Sequence, residues 1–282
     1  MADNPTSRLL LACPDRPGLI ATVSGFLAEA GLNIVDADQH SSAEGRFFMR
    51  MVFDSVAEGE REDLRRRFER EVAGPFEMEY RFAESSRRKR VAVMVSREDH
   101  CLSDLLWRWR NGELGGDLVA VVSNHPDHAD QAAAVGLPFH HVPVEPGQRE
   151  EAERQALEAI GEVDLLVLAR YMQILSDDFL RQLGAPAINI HHSFLPAFVG
   201  ADPYHRAHER GVKLIGATAH YVTAELDAGP IIDQDVTRVS HRDEIADLVR
   251  IGRDIERLVL ARATMAHLDD RVLLDGERTI VF

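Results

Sequence analysis

The sequence contains little cysteine, no long hydrophobic run and a deficit of basic residues. Its only cysteines among 282 residues are Cys13 and Cys101, which are too few for a disulfide framework or a zinc site. No stretch reaches the roughly 18 uncharged apolar residues of a membrane span. The first residues also lack the basic start and apolar core of a signal peptide. We therefore expect a cytoplasmic protein that does not insert into a membrane.

The deficit of basic residues gives the chain a formal net charge of -15 at pH 7. Such a charge disfavours generic binding to nucleic acid, because the phosphate backbone is itself anionic. An anionic small molecule would need basic groups placed locally beside it. We therefore expect no nucleic-acid partner.

The hydrophobic content of 45% over 282 residues is sufficient for two compact domains with their own cores. A polar and basic run, SSRRKR at residues 85–90, directly precedes an apolar strand pattern and is typical of a linker. We predict a first domain over residues 1–83, a linker over 84–90 and a second domain over 91–282. The basic run is interpreted as a solvated hinge, with attraction of an anionic ligand as the alternative.

Hydrophobic periodicity in the first domain predicts the element order βαββαβ, which is typical of a ferredoxin-like fold. Gly31 is expected to end the first helix. The predicted strands cover residues 8–13, 33–40, 46–53 and 76–82, and the predicted helices cover 19–30 and 61–72.

In the second domain, strands alternate with helices, which predicts a Rossmann-like, mostly parallel sheet and an α/β fold class. No glycine-rich dinucleotide-binding fingerprint follows the first strand. A hairpin is expected at the C-terminus around Asp275-Gly276, a strong two-residue turn pattern. The predicted strands cover residues 91–95, 118–123, 139–142, 164–168, 187–190, 216–222 and 230–236, and a long helix covers 243–268.

Polar side chains begin where the buried strand at 187–190 ends, and in open α/β sheets ligands bind beyond the carboxyl ends of strands. Asn189 and His191 are two residues apart and should point to the same side, whereas His192 should point to the other. Asp227 lies in a later turn built from small and rigid residues, and could face them. An amide and an imidazole can polarise a carbonyl oxygen while a carboxylate moves a proton, so this set suits acyl chemistry.

The runs NIH at 189–191, SFLP at 193–196 and LDAGPII at 226–232 resemble the folate-dependent formyltransferase superfamily. Its usual motif is Asn-x-His-Pro-Ser-x-Leu-Pro followed by Asp-x-Gly-x-Ile. His192 replaces the proline of the transferases, and with the run FVGADPYH at 198–205 it is similar to the formyltetrahydrofolate deformylase branch. The resemblance implies a formyltransferase fold and hydrolysis of 10-formyltetrahydrofolate, which supplies formate for purine synthesis and balances folate pools. The folate is then the substrate, and no cofactor is expected.

The resemblance also implies roles for three side chains when water attacks the formyl carbon. Asn189 donates its side-chain amide to the carbonyl oxygen, and His191 donates a second hydrogen bond, best when protonated. Asp227 accepts the proton from water and helps to pass it to the leaving nitrogen.

No metal is expected, although five histidines cluster in sequence, because His191 and His192 should point apart and no cysteine or His-x-x-x-His helix accompanies them. The five are His191, His192, His205, His208 and His220.

In related formyltransferases, the loop that matches residues 170–176 lines the pterin pocket, largely through backbone groups. Apolar walls and a few polar groups are what such a ligand requires. The alternative is that Ile174 and Leu175 are ordinary core residues. The predicted folate-binding residues are Met172, Gln173, Ile174, Leu175 and Leu226.

A loop and one asparagine of the first domain are similar to the ACT domain, a small-molecule regulatory module. The resemblance implies an amino-acid effector, methionine or glycine, and pairing of ACT domains into a homo-oligomer. Alternatively, the loop only makes a turn and the domain serves assembly. The predicted effector-binding residues are Asp15, Arg16, Pro17, Gly18, Leu19, Ile20 and Asn33.

Two other functions remain open at this point: formyl transfer to an amine, and an inactive folate or amino-acid sensor. Glu98 and Asp99 follow the first strand of the second domain and would repel the phosphate of a ribonucleotide acceptor. The net acidity counts against a charged transfer RNA. The bulk of His192, Tyr204 and His205 could fill the space that an acceptor amine needs. The complete set of Asn189, His191 and Asp227 counts against a sensor.

Overall fold

The computed structural model describes residues 5–196 and 203–282. Residues 198–202 of the run FVGADPYH therefore lie outside the described part of the chain. Two compact units are present: one contains the chain up to Arg88 together with 269–275 and 279–282, and the other contains Lys89–Leu268 with 276–278. The sequence predicts that all of residues 91–282 belong to the second domain. The C-terminal segment instead belongs largely to the first unit, because its apolar side chains Leu273, Ile280 and Phe282 pack there.

The first unit is a four-stranded antiparallel sheet with helices, as the βαββαβ pattern predicts. Its strand order is β2-β3-β1-β4. The second helix begins earlier than expected and continues beyond residue 68 as a π-helical turn, Glu69–Ala73, before a last short turn. The elements are β1 (Thr6–Pro14), α1 (Leu19–Glu29), β2 (Ile34–Ser41), β3 (Arg46–Asp54), α2 (Glu58–Phe68), α3 (Gly74–Phe76) and β4 (Glu79–Glu84).

Residues 9–13 of strand β1 are all apolar and buried, because both faces of this part of the strand are covered. Leu9 and Leu11 belong to the core beneath the helices, where Phe26 and Phe68 also pack. Leu10 faces the other way and packs in the cluster of the C-terminal hairpin. That hairpin consists of β12 (Val272–Asp275) and β13 (Arg278–Val281).

The second unit contains a seven-stranded sheet of order β11-β10-β9-β8-β5-β6-β7. Strands β9, β8, β5, β6 and β7 pair with one another in parallel, and β10 is antiparallel to both β9 and β11, so the mostly parallel sheet is confirmed. The strands are β5 (Lys89–Val95), β6 (Gly116–Ser123), β7 (Phe139–His141), β8 (Leu165–Ala169), β9 (Ala187–His191), β10 (Leu214–Tyr221) and β11 (Ile231–Arg238).

Hydrophobic periodicity also predicts helices over 128–135 and 148–160 in the second unit, whereas two of its short helices, 177–183 and 203–209, were not predicted. One is α7, which Ser176 caps by accepting a hydrogen bond from the backbone N–H of Phe179. No helix in the described ranges is long and apolar enough to cross a membrane. The helices are α4 (His100–Arg110), α5 (Ala129–Ala133), α6 (Arg149–Ile160), α7 (Asp177–Leu183), α8 (Pro203–Glu209) and α9 (Ile245–Leu268).

The strand order explains where a ligand can bind. The chain runs outward through β5, β6 and β7, then returns to place β8 and β9 on the other side of β5. A crevice forms at the carboxyl ends of strands where the order reverses in this way. The loop after β8 and the end of β9 are neighbours at this edge, because β8 and β9 pair in parallel.

Candidate active site

The three predicted catalytic side chains meet in one cavity of the second unit. Asn189, His191 and Asp227 all line a cavity of about 340 Å³. His191 Nδ1 lies 3.2 Å from Asp227 Oδ2, and both side chains are largely buried. The amide and imidazole come from the end of β9, whereas the carboxylate comes from the turn between β10 and β11.

A fourth side chain, His220, joins this group, although the sequence placed it only among the five clustered histidines and gave it no catalytic role. Antiparallel pairing of β9 and β10 places His220 directly opposite Asn189. Its Nε2 lies 3.3 Å from Asn189 Nδ2 and 3.7 Å from Asp227 Oδ1. The register of two strands distant in sequence creates this contact, so no local motif could have predicted it.

The tautomer of His220 follows from its other nitrogen. Nδ1 lies 2.9 Å from the backbone oxygen of Tyr221, which can only accept a hydrogen bond, so Nδ1 carries a proton. In the neutral ring, Nε2 then accepts from the amide of Asn189. One amide hydrogen of Asn189 remains available to a ligand in the cavity.

Asp227 is ionised at neutral pH. The hydrogen bond from His191 and, next, the nearby ring of His220 hold the pKa of the carboxyl far below its usual range, and they outweigh the opposing effect of burial. Its backbone has φ of 57°. Among residues other than glycine, aspartate and asparagine tolerate this left-handed conformation best.

His191 has one nitrogen left for a ligand. Nδ1 faces Asp227, while Nε2 is buried and has no hydrogen-bond partner within the described part of the chain. Buried polar atoms are normally paired, so an unpaired one in a cavity wall calls for an explanation. A ligand oxygen or a water molecule in the cavity would satisfy it.

The predicted folate-binding residues Met172, Gln173, Ile174, Leu175 and Leu226 all line this same cavity. Three of them expose large apolar side chains: Met172 is 56%, Ile174 58% and Leu226 59% accessible. The alternative was that Ile174 and Leu175 are ordinary core residues. Leu175 is buried and packs in the core of the unit as well as lining the cavity, whereas Ile174 is exposed and is not a core residue. Exposed apolar groups around a concave site are suited to covering a flat apolar ligand.

His192 does not point away from His191, so that expectation was wrong. The two rings stack with centroids 5.4 Å apart and planes inclined by 29°. Strand β9 ends at His191, and the alternation of side chains ends with it. Burial, with the positive charge of Arg170, lowers the pKa of His192 to about 4, so this ring is neutral at pH 7.

Comparison with known proteins supports the motif-based resemblance. Residues 89–264 match the formyl transferase family, and residues 7–72 match the ACT domain. The formyltetrahydrofolate deformylase of Mycobacterium tuberculosis is 57% identical over 279 residues, which is 98% of this chain and 90% of that protein. The Bacillus subtilis enzyme of that name is 48% identical over 98% of this chain and 93% of its own length. A crystal structure of a formyltetrahydrofolate deformylase from Pseudomonas syringae superposes with a TM-score of 0.94 at 49% identity, covering 100% of this chain and 96% of that one.

This chain belongs to the formyltetrahydrofolate deformylase family.

A buried carboxylate lies behind the cavity of this deformylase-family chain, and sequence reasoning missed it. Glu256, on α9, accepts hydrogen bonds from Tyr204 Oη at 2.5 Å and His100 Nε2 at 2.9 Å, and Arg170 Nε is 3.3 Å away. Burial by itself would raise the pKa of Glu256, but His100, Arg170 and Tyr204 together hold it at about 2. The sequence pattern that could have indicated a buried carboxylate is an acidic residue, Glu256, beside Ile255 on the apolar face of a long helix.

Replacing Glu256 by glutamine is expected to destabilise the second unit by about 3–5 kcal/mol at pH 7, because the buried Arg170 loses its counter-charge. The carboxylate stabilises the fold fully above its ordinary pKa of 4.5, and this contribution is lost as the pH falls through about 2. The difference in unfolding free energy between wild type and Glu256→Gln should therefore shrink with acidification. Urea titrations at several pH values measure it.

Glu158→Gln provides a matched control, because Glu158 is an exposed carboxylate on the surface of α6. Its substitution should change the free energy of unfolding by less than about 0.5 kcal/mol. Equal stability of Glu256→Gln and wild type at neutral pH would show that the buried charge network is not needed for folding.

The ACT-like unit of this family member also has a concave surface where the loop was predicted to bind an effector. Besides the predicted loop, the lining of this cavity of about 550 Å³ consists of Ala21, Gln39, His40, Ser41 and Phe47. Asn33 is exposed, and its backbone N–H donates to an Asp54 carboxylate oxygen at 3.2 Å. The predicted loop residues that line the cavity are Asp15, Arg16, Pro17, Gly18, Leu19 and Ile20.

Proposed function

We propose that this chain hydrolyses 10-formyltetrahydrofolate to tetrahydrofolate and formate. The observation that carries the proposal is the His191–Asp227 pair beside Asn189 in a cavity with an apolar rim. Family membership supports the same reaction, since the similar proteins from M. tuberculosis and B. subtilis are formyltetrahydrofolate deformylases.

In the proposed reaction, the oxygen of a water molecule bonds to the formyl carbon, and the carbonyl electron pair moves onto oxygen. The free amide hydrogen of Asn189 and the Nε2–H of protonated His191 stabilise this oxyanion. Asp227 accepts a proton from the attacking water, and the folate N10 takes up a proton as the C–N bond breaks. The products are tetrahydrofolate and formic acid, which ionises to formate. No cofactor enters this sequence.

The low pKa of Asp227 limits how long a proton can stay on it. The carboxylate is ionised and has lone pairs beyond those that face the two imidazoles, so it can accept a proton as the water becomes acidic on attack. Because a depressed pKa makes a weak base, the proton should pass on quickly to N10. Asp227 would thus serve as a relay rather than a resting site for the proton.

The test is turnover of 10-formyltetrahydrofolate by the purified full chain, with tetrahydrofolate and formate measured separately. Equal amounts of both products, at a rate unaffected by added glycinamide, support the hydrolase. If tetrahydrofolate appears only when an amine is present, and the amine becomes formylated, the protein is a transferase. No turnover under either condition would favour a sensor.

We further propose that the formate supplies purine synthesis and that the reaction balances the folate pools. The compartment we propose is the cytoplasm, with which the free state of both Cys13 and Cys101 is compatible, since disulfides are rare there. Strains that lack the protein should show a lowered formate supply, measurable by incorporation of labelled formate into purines.

For the ACT-like unit we propose an amino-acid effector, methionine or glycine, at the cavity of the Asp15–Ile20 loop. The exposed edge strand β2 offers unpaired backbone groups for association of two copies, which supports a homo-oligomer. Turnover measured with each amino acid tests the first point. Light scattering of the purified chain tests the second.

A further inference from the structure

Arg170 has a backbone conformation that an arginine rarely adopts. It follows β8 directly and has φ of 63°, in the left-handed region. That conformation is unfavourable for a residue with a large side chain, and strained residues of this kind cluster at functional sites. In this conformation, Arg170 lines the same cavity as Asn189 and His191, so its positively charged guanidinium lies near them.

Two donors of this guanidinium, Nε and Nη1, have no hydrogen-bond partner in the part of the chain that the structure describes. The Arg170 side chain is only 12% exposed and pairs with Glu256 through Nε at 3.3 Å. Nε and Nη1 are both buried without a hydrogen bond that has good geometry in the described ranges. An arginine presents its donors as a planar fork that matches a carboxylate, so a small carboxylate in the cavity would pair with it well.

Glu256 holds the guanidinium in place rather than binding a metal. His100, Cys101 and Glu256 lie close enough together to suggest a metal site. However, the carboxylate oxygens already accept from Tyr204 and His100, and the cation of Arg170 lies beside them. A second cation there would be repelled. This arrangement positions Arg170, whose Nε and Nη1 have no hydrogen-bond partner in the described ranges.

We propose that Arg170 binds the formate that hydrolysis produces. This inference rests on the proposed function. One oxygen of formate derives from the formyl carbonyl, next to Asn189 and His191, and the other derives from water. The second oxygen lies beside Asp227, an ionised carboxylate that offers only acceptors, so it lacks a hydrogen-bond donor among the three predicted catalytic residues. The guanidinium can supply that donor. Glu256, with Tyr204 and His100, is then a positioning group.

The test compares inhibition by added sodium formate in wild type, Arg170→Gln, Arg170→Lys and the control Arg154→Gln. Arg154 is an exposed arginine on α6 that pairs with Glu151. Loss of the charged pair should raise the inhibition constant for formate about tenfold or more in Arg170→Gln. Arg170→Lys keeps the positive charge but lacks the planar pair of donors, so its inhibition constant for formate should be intermediate. The constant for Arg154→Gln should match that of wild type.

Binding of ¹³C-formate to the resting protein, followed by NMR line broadening, separates this inference from the proposed function. If wild type does not hydrolyse the folate, the function fails, yet formate binding can still be measured. Formate binding to wild type that is lost in Arg170→Gln supports the inference. The same affinity in both, or no binding to wild type, overturns it. Should Arg170→Gln not fold, an unchanged formate affinity in Arg170→Lys overturns it equally, and a weakened one supports it.

Discussion

Replacing Asp227 by asparagine is expected to lower the rate of formate release by about 10³-fold, because positioned proton transfer contributes roughly 10²–10⁴ in rate. Asparagine has nearly the same size and also tolerates the positive φ of 57° at this position. Its side-chain oxygen can still accept from an imidazole, so the surrounding geometry should persist. The variant lacks the negatively charged carboxylate that accepts the proton from the attacking water. Initial rates of formate release measure the effect.

The control for this substitution is Asp178→Asn, which removes an exposed carboxylate at the start of α7. It should keep the wild-type rate, and circular dichroism should show that both variants are folded. A rate for Asp227→Asn within a few-fold of wild type, with the folate as sole formyl donor, would remove Asp227 from the mechanism.

Replacing His191 by alanine is expected to lower the rate by about 10²–10³-fold, the usual effect of losing one oxyanion donor. The variant also removes the largest cause of the low pKa of Asp227, so the pKa of that carboxyl should rise toward its ordinary value. The acid side of the pH–rate profile should therefore move to higher pH. Rates measured across a pH series report both effects.

Added imidazole gives a specific check on this second variant, because it can occupy the space that the lost ring leaves. Partial recovery of the rate with imidazole is expected for His191→Ala. His141→Ala, at an exposed position at the end of β7, should match wild type without imidazole. An unaltered rate in His191→Ala would show that the formyl oxygen is stabilised elsewhere.

Local sequence patterns were sufficient to predict the architecture of each of the two units and part of the candidate active site. The apolar run before Asn189 and the turn around Asp227 mark positions where a chain leaves a sheet, and such patterns depend on neighbours in sequence. The resemblance to the formyltransferase superfamily then linked three residues that periodicity alone could not connect. Asn189 and His191 do share the cavity with Asp227.

Local alternation failed at His192, because the rule holds only while the strand continues. Strand β9 ends one residue earlier, and the ring turns back to stack on His191. Periodicity also gave no reason to place the C-terminal hairpin with the first unit. Its assignment depends on which apolar surface is left uncovered, and here that is the second face of β1, which includes Leu10.

The sequence by itself determined the class of each unit, the order of the strands along the chain and the identity of the three residues proposed for catalysis. The tertiary structure alone decided that His220 lies opposite Asn189 and that Glu256 pairs with Arg170. Both contacts join segments far apart in the chain. Strand register and the position of α9 create them, and no local propensity specifies either one.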